Sequence, residues 1–224
     1  MTILICCVLA FLVGGIPFGF LVGRFVLKDD IRNHGSGNIG ATNVARVIGW
    51  NWGGFVLLLD AIKGLLPTWL ALRYAADNQL ENMILHLPVA AGISAIVGHM
   101  YPVYLKLRGG KGVATALGVV LVLAPKAVAI ALAAFLLTVA VTRIVAVASI
   151  VAALTFGGVQ LYLMRDTMLD SKSLSLTVFA IAIPLLIIWR HRSNIRKLVS
   201  GEAPPPPDSP ASDVPASDSD NAVG

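Results

Sequence analysis

The sequence predicts an all-α, polytopic membrane protein with seven transmembrane helices, and three observations predict this fold class. First, 57% of the 224 residues are hydrophobic and only 13% are charged, with a mean hydropathy of +0.81. Second, several apolar runs approach the ~20 residues that a membrane-spanning helix needs. Third, the basic residues cluster between alternate runs, as they do when cytoplasmic loops retain Lys and Arg. This composition disfavours soluble enzymes, secreted disulfide scaffolds and DNA-binding domains, so no nucleic-acid partner is expected.

Seven apolar runs are candidate spans. The first lacks the basic start and the small-residue cleavage site of a signal peptide, so we expect a retained helix. The fourth has 12 residues, and at about 1.5 Å per residue it is too short to cross ~30 Å alone. It must borrow from the glycine-rich stretch before it or form a half-helix. The runs cover residues 3–22, 52–72, 83–101, 113–124, 127–142, 144–164 and 174–189.

The distribution of positive charge favours seven spans over six. Seven spans with an external N-terminus place three basic clusters, and the C-terminus, on the cytoplasmic side. Six spans would put the third cluster opposite the first two. Topology and attraction to anionic lipid headgroups explain the clusters without any further function. The clusters are Arg24, Lys28, Arg32 and Arg46; Lys106, Arg108 and Lys111; and Arg190, Arg192, Arg196 and Lys197.

The composition divides the chain into a membrane domain, residues 1–202, and a tail, residues 203–224. The tail contains six Pro and four Asp and lacks Lys and Arg. We therefore expect it to be disordered and cytoplasmic. Near the other end of the chain, Cys6 and Cys7 are adjacent, which disfavours a bridge and matches no metal-ligand spacing. No metal or other cofactor is expected.

The first polar segment, residues 35–46, combines glycines, short polar side chains and one arginine. Glycine allows main-chain N–H groups to approach an anion closely, and arginine presents a planar fork to phosphate oxygens. A generic Gly/Ser/Asn turn is the alternative interpretation. The candidate phosphate-binding residues are Ser36, Gly37, Asn38, Gly40, Thr42, Asn43 and Arg46.

The second polar segment, residues 98–115, runs directly into the short fourth apolar run. Its glycines bracket Lys111 at a predicted helix start, where free N–H groups and the helix dipole favour negative charge. The spacing does not fit the P-loop, and no strand precedes it, so nucleotide hydrolysis has little support. The candidate residues are His99, Gly109, Gly110, Lys111, Gly112 and Thr115.

The third polar segment, residues 190–197, closes the last apolar run. On a helix, His191 and Asn194 lie three apart and share one face. The arginines around them are what topology alone supplies. Within the second run, Asp60 and Lys63 are also three apart and can form an ion pair in the membrane. A functional role and a structural role for that pair are equally compatible with the sequence.

Taken in order, the three segments resemble the motifs of a bacterial family, the acyl-phosphate-dependent glycerol-3-phosphate acyltransferases, known as the PlsY family. The matching stretches are Ser-Gly-Asn-Ile-Gly-Ala-Thr-Asn, Gly-His-x-Tyr-Pro-Val with Gly-Gly-Lys-Gly-Val-Ala-Thr, and Arg-His-x-x-Asn-Ile. The resemblance extends from the first run to residue 202 and includes Asp60, Lys63 and Arg143. It implies seven helices, an external N-terminus and all three motifs on the cytoplasmic side of the bacterial inner membrane.

The resemblance also implies a reaction. Members of the family transfer a fatty acyl group from acyl phosphate to the sn-1 hydroxyl of glycerol-3-phosphate. The products are 1-acyl-glycerol-3-phosphate (lysophosphatidic acid) and phosphate, in the first acylation step of phospholipid biosynthesis. A soluble enzyme, PlsX, supplies the acyl phosphate and is the expected transient partner beside membrane lipid. Consistently, none of the four histidines begins the His-x-x-x-x-Asp signature of acyltransferases that use CoA or acyl carrier protein.

Site roles follow from the resemblance and from the residue types. Acyl phosphate is already activated, so direct attack by the glycerol hydroxyl needs no enzyme nucleophile. We expect Lys111 and its glycine-rich loop to hold glycerol-3-phosphate, and Ser36, Asn43 and Arg46 to hold acyl phosphate. The reverse assignment of the two phosphates stays open. His191 and Asn194 are expected to position the hydroxyl or assist its deprotonation, and further substrate contacts are expected from His99, Lys63 and Arg143.

A small anion transporter is the competing class of protein. A cationic inner face and intramembrane charges permit it. Transporters, however, commonly contain internal repeats and midplane sites on broken helices. The sequence shows no self-similarity, and its polar motifs are concentrated at one interface, so the acyltransferase interpretation is preferred.

Overall fold

A computed structural model of the chain describes residues 1–201. Within this range all regular secondary structure is helical, which confirms the all-α prediction. The predicted tail, and Glu202 at the predicted domain boundary, lie outside the described residues. The α-helices of the described part are α1 (Thr2–Gly14), α2 (Phe18–Val26), α3 (Ala41–Val47), α4 (Trp50–Asp77), α5 (His86–Met100), α6 (Val113–Leu123), α7 (Pro125–Thr142), α8 (Val145–Leu163), α9 (Leu174–Arg190) and α10 (Arg192–Val199).

The first apolar run is interrupted, whereas the sequence predicted one continuous helix over residues 3–22. α1 ends at Gly14 and α2 begins at Phe18, because Pro17 between them has no N–H to continue the helical ladder. Gly14 lies directly against the Ala95 backbone: a Cβ at this position would come within 2.1 Å of the Ala95 carbonyl oxygen. The absence of a side chain therefore allows α1 to pack closely on α5 just before the break.

Five segments of the described chain are long and apolar enough to span a membrane: residues 2–26, α4, residues 81–105, α7 and α8. A sixth is present if α9 and α10, which are bent by 53° at their junction, form one span. α6 has 11 residues, a length of roughly 16 Å, about half the thickness of the hydrocarbon core. The predicted weakness of the fourth run is therefore confirmed, and the count of seven spans stays a prediction.

α6 is largely buried among the other helices, with Leu121 as its one exposed side chain. It packs most extensively on α4, and also on α5, α7 and α9. Two glycines permit the close approach of α4 and α6: a Cβ at Gly118 would lie 1.9 Å from the Ala61 carbonyl oxygen, and one at Gly64 would lie 2.1 Å from that of Thr115. This packing places the N-terminus of α6, with the glycine-rich loop before it, against the middle of the bundle.

The two ends of the helical bundle differ in the residues they contain. One end contains the residue 27–49 connection, the residue 101–112 connection and the α9–α10 junction, and the three polar segments lie at this end. At the other end, His86 Nδ1 lies 2.7 Å from Ser175 Oγ and joins the start of α5 to the start of α9. α7 packs mainly on α8 and exposes large apolar side chains such as Leu136 and Leu137, as expected of a lipid-facing helix.

Candidate active site

The first polar segment folds around the buried side chain of Asn43. The Oδ1 atom of Asn43 accepts a hydrogen bond from the backbone N–H of Ser36 at 2.7 Å. The Nδ2 group donates to three backbone carbonyl oxygens, at 2.8 Å to Asn38, 3.1 Å to His34 and 3.2 Å to Ile31. Asn43 was predicted as a substrate ligand. In the structure its amide is committed to the loop, which it ties to the first turn of α3.

Two glycines give this loop its shape. Gly35 and Gly37 have φ values of +57° and +70°, a region that other residues adopt only at a cost. Asn38 Oδ1 accepts the N–H of Gly40 at 2.8 Å, immediately before α3 begins. Ser36 is exposed on the loop surface, and Thr42 is exposed in the first turn of α3. Arg46 lies in the last turn of α3, and its buried Nε–H group has no hydrogen-bond partner within residues 1–201.

The second polar segment folds back onto the end of α5. The N–H of Gly109 donates to the Met100 carbonyl oxygen and the N–H of Gly110 to that of His99, both at 3.2 Å. Gly112 then takes a φ of +83° and caps the N-terminus of α6. Lys111 is thereby held between two glycines that are both fixed, directly before the helix start that the sequence predicted.

Arg190 joins the third segment to the second. Its Nη2 group donates to the carbonyl oxygens of Gly110 at 2.5 Å and Gly109 at 3.3 Å, and its guanidinium lies 5.3 Å from the centre of the Tyr101 ring. Its Nε–H group is buried and, like that of Arg46, has no partner in the described chain. Buried donors are nearly always hydrogen-bonded in folded proteins, so both guanidinium groups call for an acceptor.

The electrostatics around Lys111 show that the three segments converge. Burial, together with the positive charges of Arg190, Lys197 and Arg46, lowers the pKa of Lys111 from 10.5 to about 8. These three cations belong to the third, third and first polar segments, respectively. Lys111 therefore remains mainly protonated at neutral pH, in a region where positive charges repel one another and an anion is strongly favoured.

His191 occupies the junction between α9 and α10 and is 3% exposed. Its Nδ1 lies 2.8 Å from the Ile187 carbonyl oxygen. Because a carbonyl only accepts, Nδ1 carries the hydrogen, and Nε2 is left to interact with a substrate. The charge of Lys111 acts on His191, so the two predicted catalytic side chains are close. Asn194, in the first turn of α10, is partly exposed.

A polar cleft of about 550 Å³ opens at this end of the bundle. The lining does not include Lys111 or His191, but Arg190 belongs to it and also contacts the loop that carries Lys111. All three polar segments, with residues 30–33 before the first, contribute to the lining, which consists of Asp30, Arg32, Asn33, Gly37, Ile39, Leu107, Arg108, Gly109 and Arg190.

The cleft is lined by three arginines, Arg32, Arg108 and Arg190, that the sequence analysis counted only as topology signals. Asp30 orients Arg32 through a two-pronged ion pair, with Nη2 to Oδ2 at 2.6 Å and Nε to Oδ1 at 3.0 Å. Arg108 is exposed and also lines the cleft. The Asp-x-Arg spacing is a weak sequence signal for such a pair, and only the fold shows that these charges face the same space.

Some predicted site residues lie elsewhere. Thr115, Lys63 and His99 are buried inside the bundle, at 0%, 3% and 4% exposure. Arg143 is exposed at the C-terminal end of α7 and is absent from the cleft lining. Within residues 1–201, no three His, Cys, Asp or Glu side chains lie close enough together to hold a metal ion.

Comparison with known proteins assigns a family to this arrangement. The family model for glycerol-3-phosphate acyltransferase matches residues 4–201. The chain is 46% identical over 190 residues to the glycerol-3-phosphate acyltransferase of Myxococcus xanthus (strain DK1622). The aligned region covers 85% of this chain and 92% of the relative. The chain is 41% identical to the glycerol-3-phosphate acyltransferase of Geobacillus kaustophilus (strain HTA426), with 91% and 95% coverage.

Solved structures give the same result. The crystal structure of PlsY (YgiH), an integral membrane glycerol-3-phosphate acyltransferase, in its glycerol 3-phosphate form matches with a TM-score of 0.78 and 35% identity. The alignment covers 91% of this chain and 94% of that chain. The lysophosphatidic acid form of PlsY matches with a TM-score of 0.75 and 34% identity. The chain is therefore an integral membrane protein that belongs to the glycerol-3-phosphate acyltransferase (PlsY) family.

Proposed function

We propose that the protein transfers a fatty acyl group from acyl phosphate to the sn-1 hydroxyl of glycerol-3-phosphate, releasing 1-acyl-glycerol-3-phosphate and phosphate. The observation that carries the proposal is the convergence of Lys111, Arg46 and Arg190 at one end of an apolar bundle, where the Nε–H groups of both arginines have no hydrogen-bond partner among residues 1–201. Both substrates and the released phosphate are anions, and such a cluster stabilises the charge that develops between them.

The acyl chain requires an apolar surface that adjoins the cationic cleft. An apolar groove of about 340 Å³ lies between the α1–α2 break and residues 103–105, and is lined by Ile16, Pro17, Phe20, Leu21, Tyr104 and Leu105. The guanidinium of Arg32 lies over the Phe20 ring, 5.3 Å from its centre, and Arg32 also lines the cleft. This continuity supports an acyl phosphate bound with its tail in the groove and its phosphate toward the cleft.

Lys111 and the N–H groups of its loop are proposed to hold glycerol-3-phosphate, and Ser36, Thr42 and Arg46 to contact the acyl-phosphate group. The backbone of Gly37, Asn38 and Gly40 shapes the wall beside them, and Asn43 holds that wall in place through its four hydrogen bonds. Asn43 therefore acts as a positioning residue rather than as a direct ligand.

The transfer itself is a single displacement. The sn-1 hydroxyl oxygen forms a bond to the acyl carbonyl carbon, and the bond from that carbon to the phosphate oxygen breaks. The hydroxyl proton passes either to Nε2 of His191, which faces away from its hydrogen bond to Ile187, or to the departing phosphate. Asn194 orients the hydroxyl. The protein supplies position and charge rather than a nucleophile.

The topology proposed for this function has seven spans, with the N-terminus outside and the catalytic end in the cytoplasm of a bacterial cell. α6 then crosses part of the bilayer inside a shell of protein, which its contacts with α4, α5, α7 and α9 support. The basic residues of the three polar segments lie at one end of the bundle, as the positive-inside rule requires of a cytoplasmic face. A soluble acyl-phosphate-producing enzyme, PlsX, can then deliver its product to this face.

The decisive assay uses the purified full-length protein in lipid. It is incubated with glycerol-3-phosphate and either palmitoyl phosphate, palmitoyl-CoA or palmitoyl acyl carrier protein, and both lysophosphatidic acid and free phosphate are quantified. We expect equal amounts of the two products with palmitoyl phosphate alone. Turnover with palmitoyl-CoA and none with palmitoyl phosphate would refute the proposed donor.

A further inference from the structure

A cluster of three buried polar side chains lies inside the bundle, apart from the cleft. Asp60 and Lys63 of α4 are 2% and 3% exposed, and His99 of α5 is 4% exposed. Lys63 Nζ lies 2.7 Å from Asp60 Oδ1, and His99 Nδ1 lies 3.7 Å from the same oxygen. The predicted ion pair is therefore confirmed. Charges at such depth are costly, and these three side chains lie against one another and against the backbone at Ile16 and Gly110, so a role in holding the fold accounts for them.

Lys63 connects the cluster to the break between α1 and α2. Its Nζ donates to the carbonyl oxygen of Ile16 at 2.6 Å and lies 5.4 Å from the centre of the Phe18 ring. Ile16 immediately precedes Pro17, where the helical ladder is interrupted. The lysine thus fixes a backbone carbonyl beside the apolar groove to the middle of α4.

His99 connects the cluster to the glycine-rich loop. Its ring lies directly beneath Gly110: a Cβ on Gly110 would come 2.1 Å from His99 Nε2 and 2.8 Å from Cε1. The backbone N–H of Gly110 donates to the His99 carbonyl oxygen, and its own carbonyl accepts from Arg190. The imidazole of His99 therefore packs directly against Gly110, the residue that precedes Lys111, and supports it.

We infer that Asp60, Lys63 and His99 form a positioning cluster, which holds the Gly109–Gly112 loop and the α1–α2 break in a fixed relation to one another. The inference rests on the proposed role of Lys111. Asp60 is the common neighbour: it forms the ion pair with Lys63, which donates to Ile16, and its Oδ1 lies 3.7 Å from Nδ1 of the His99 ring that packs against Gly110. A displacement of the catalytic group by about 1 Å can reduce a rate by about 100-fold, so rigid support of this loop has a direct catalytic value.

His99 variants test the inference. His99→Ala removes the ring that packs against Gly110 and should lower kcat/KM for glycerol-3-phosphate by about 100-fold. His99→Gln retains side-chain volume and a polar group toward Asp60, and should recover at least a tenth of the wild-type value. The matched control is Gln160→Leu, which alters a buried polar residue of α8 remote from the loop. It should change the Tm without changing kcat/KM.

A second variant neutralises both members of the Asp60–Lys63 ion pair rather than one of them. Loss of Lys63 alone leaves an unpaired buried carboxylate and should prevent folding, whereas Asp60→Asn with Lys63→Met replaces both charges by neutral groups and should fold. We expect its Tm to stay within a few degrees of the wild-type value while kcat/KM falls at least tenfold.

The outcomes separate the alternatives. A His99→Ala rate within threefold of wild type, or a fully active neutral pair, would overturn the inference. If His99→Gln were as inactive as His99→Ala at an unchanged Tm, the imidazole would be a substrate contact instead. All rates are compared with wild type on its own best donor. Failure of the acyl-phosphate proposal would therefore appear in the wild-type protein and is distinguishable from failure of the positioning inference.

Discussion

Gly110→Ala is the most informative single substitution at the candidate site. The added methyl carbon would lie 2.1 Å from His99 Nε2, 2.8 Å from Cε1 and 3.1 Å from Cδ2. The ring has no free space to move into, because it is 4% exposed and Asp60 lies on its other side. The loop must therefore move instead, and it carries Lys111.

The size of that movement follows from the contact distances. Ordinary van der Waals contact begins near 3.4 Å, so the loop has to rise by more than ~1 Å, which costs about 100-fold in rate when a catalytic group is displaced. The same shift stretches the 2.5 Å hydrogen bond from Arg190 to the Gly110 carbonyl. We therefore expect kcat/KM to fall by about two orders of magnitude, with the helical bundle intact.

Steady-state kinetics with purified protein in nanodiscs, beside a thermal unfolding curve, test this prediction. Gly158→Ala is the control, because a Cβ at this helical position of α8 meets nothing within 4 Å, and activity should be unchanged. In a His99→Ala background the clash is absent, so Gly110→Ala should add little further loss. Full activity of Gly110→Ala, or additive losses in the double variant, would contradict the proposed contact between ring and loop.

Three further predictions follow from the site and the topology. Because the pKa of Lys111 is lowered to about 8, the group is charged below that pH and neutral above it. kcat/KM for glycerol-3-phosphate should therefore fall as pH rises through about 8, and Lys111→Arg should move the fall to higher pH; an identical profile in both proteins would argue against the assignment. Asn43→Ala leaves buried loop groups unpaired and should lower the free energy of unfolding by about 2–3 kcal/mol, with loss of activity. Denaturation in detergent measures this change. Thr42→Ala is the control, because Thr42 is exposed and its loss should leave stability unchanged. Single cysteines in a Cys6→Ser/Cys7→Ser background should react with impermeant reagents from the cytoplasmic side at Lys106 and from the periplasmic side at Asn78, and labelling of both from one side would exclude the proposed topology.

The apolar helices of this protein could be predicted almost entirely from local sequence, whereas α3, within the first polar segment, was not predicted. Hydropathy marked each apolar run within a few residues of a helix in the structure, because burial in lipid depends on the sum of neighbouring side chains. The interruption at residues 15–17 was missed, although Pro17 was a visible signal. Hydropathy averaged over the run did not reveal the break, because apolar residues continue on both sides of it.

By itself, the sequence determined the fold class, the family and the chemical character of the three polar segments. These properties belong to residue types and short spacings, which act locally. Only the tertiary structure decided which of the predicted residues meet: Arg190 contacts a loop 80 residues away, Asn43 turns inward to hold its own loop, and Lys63 and His99 lie in the interior instead of the cleft. Such placements depend on how helices pack through Gly64 and Gly118, and close packing between distant parts of a chain leaves no short-range sequence pattern from which it can be read.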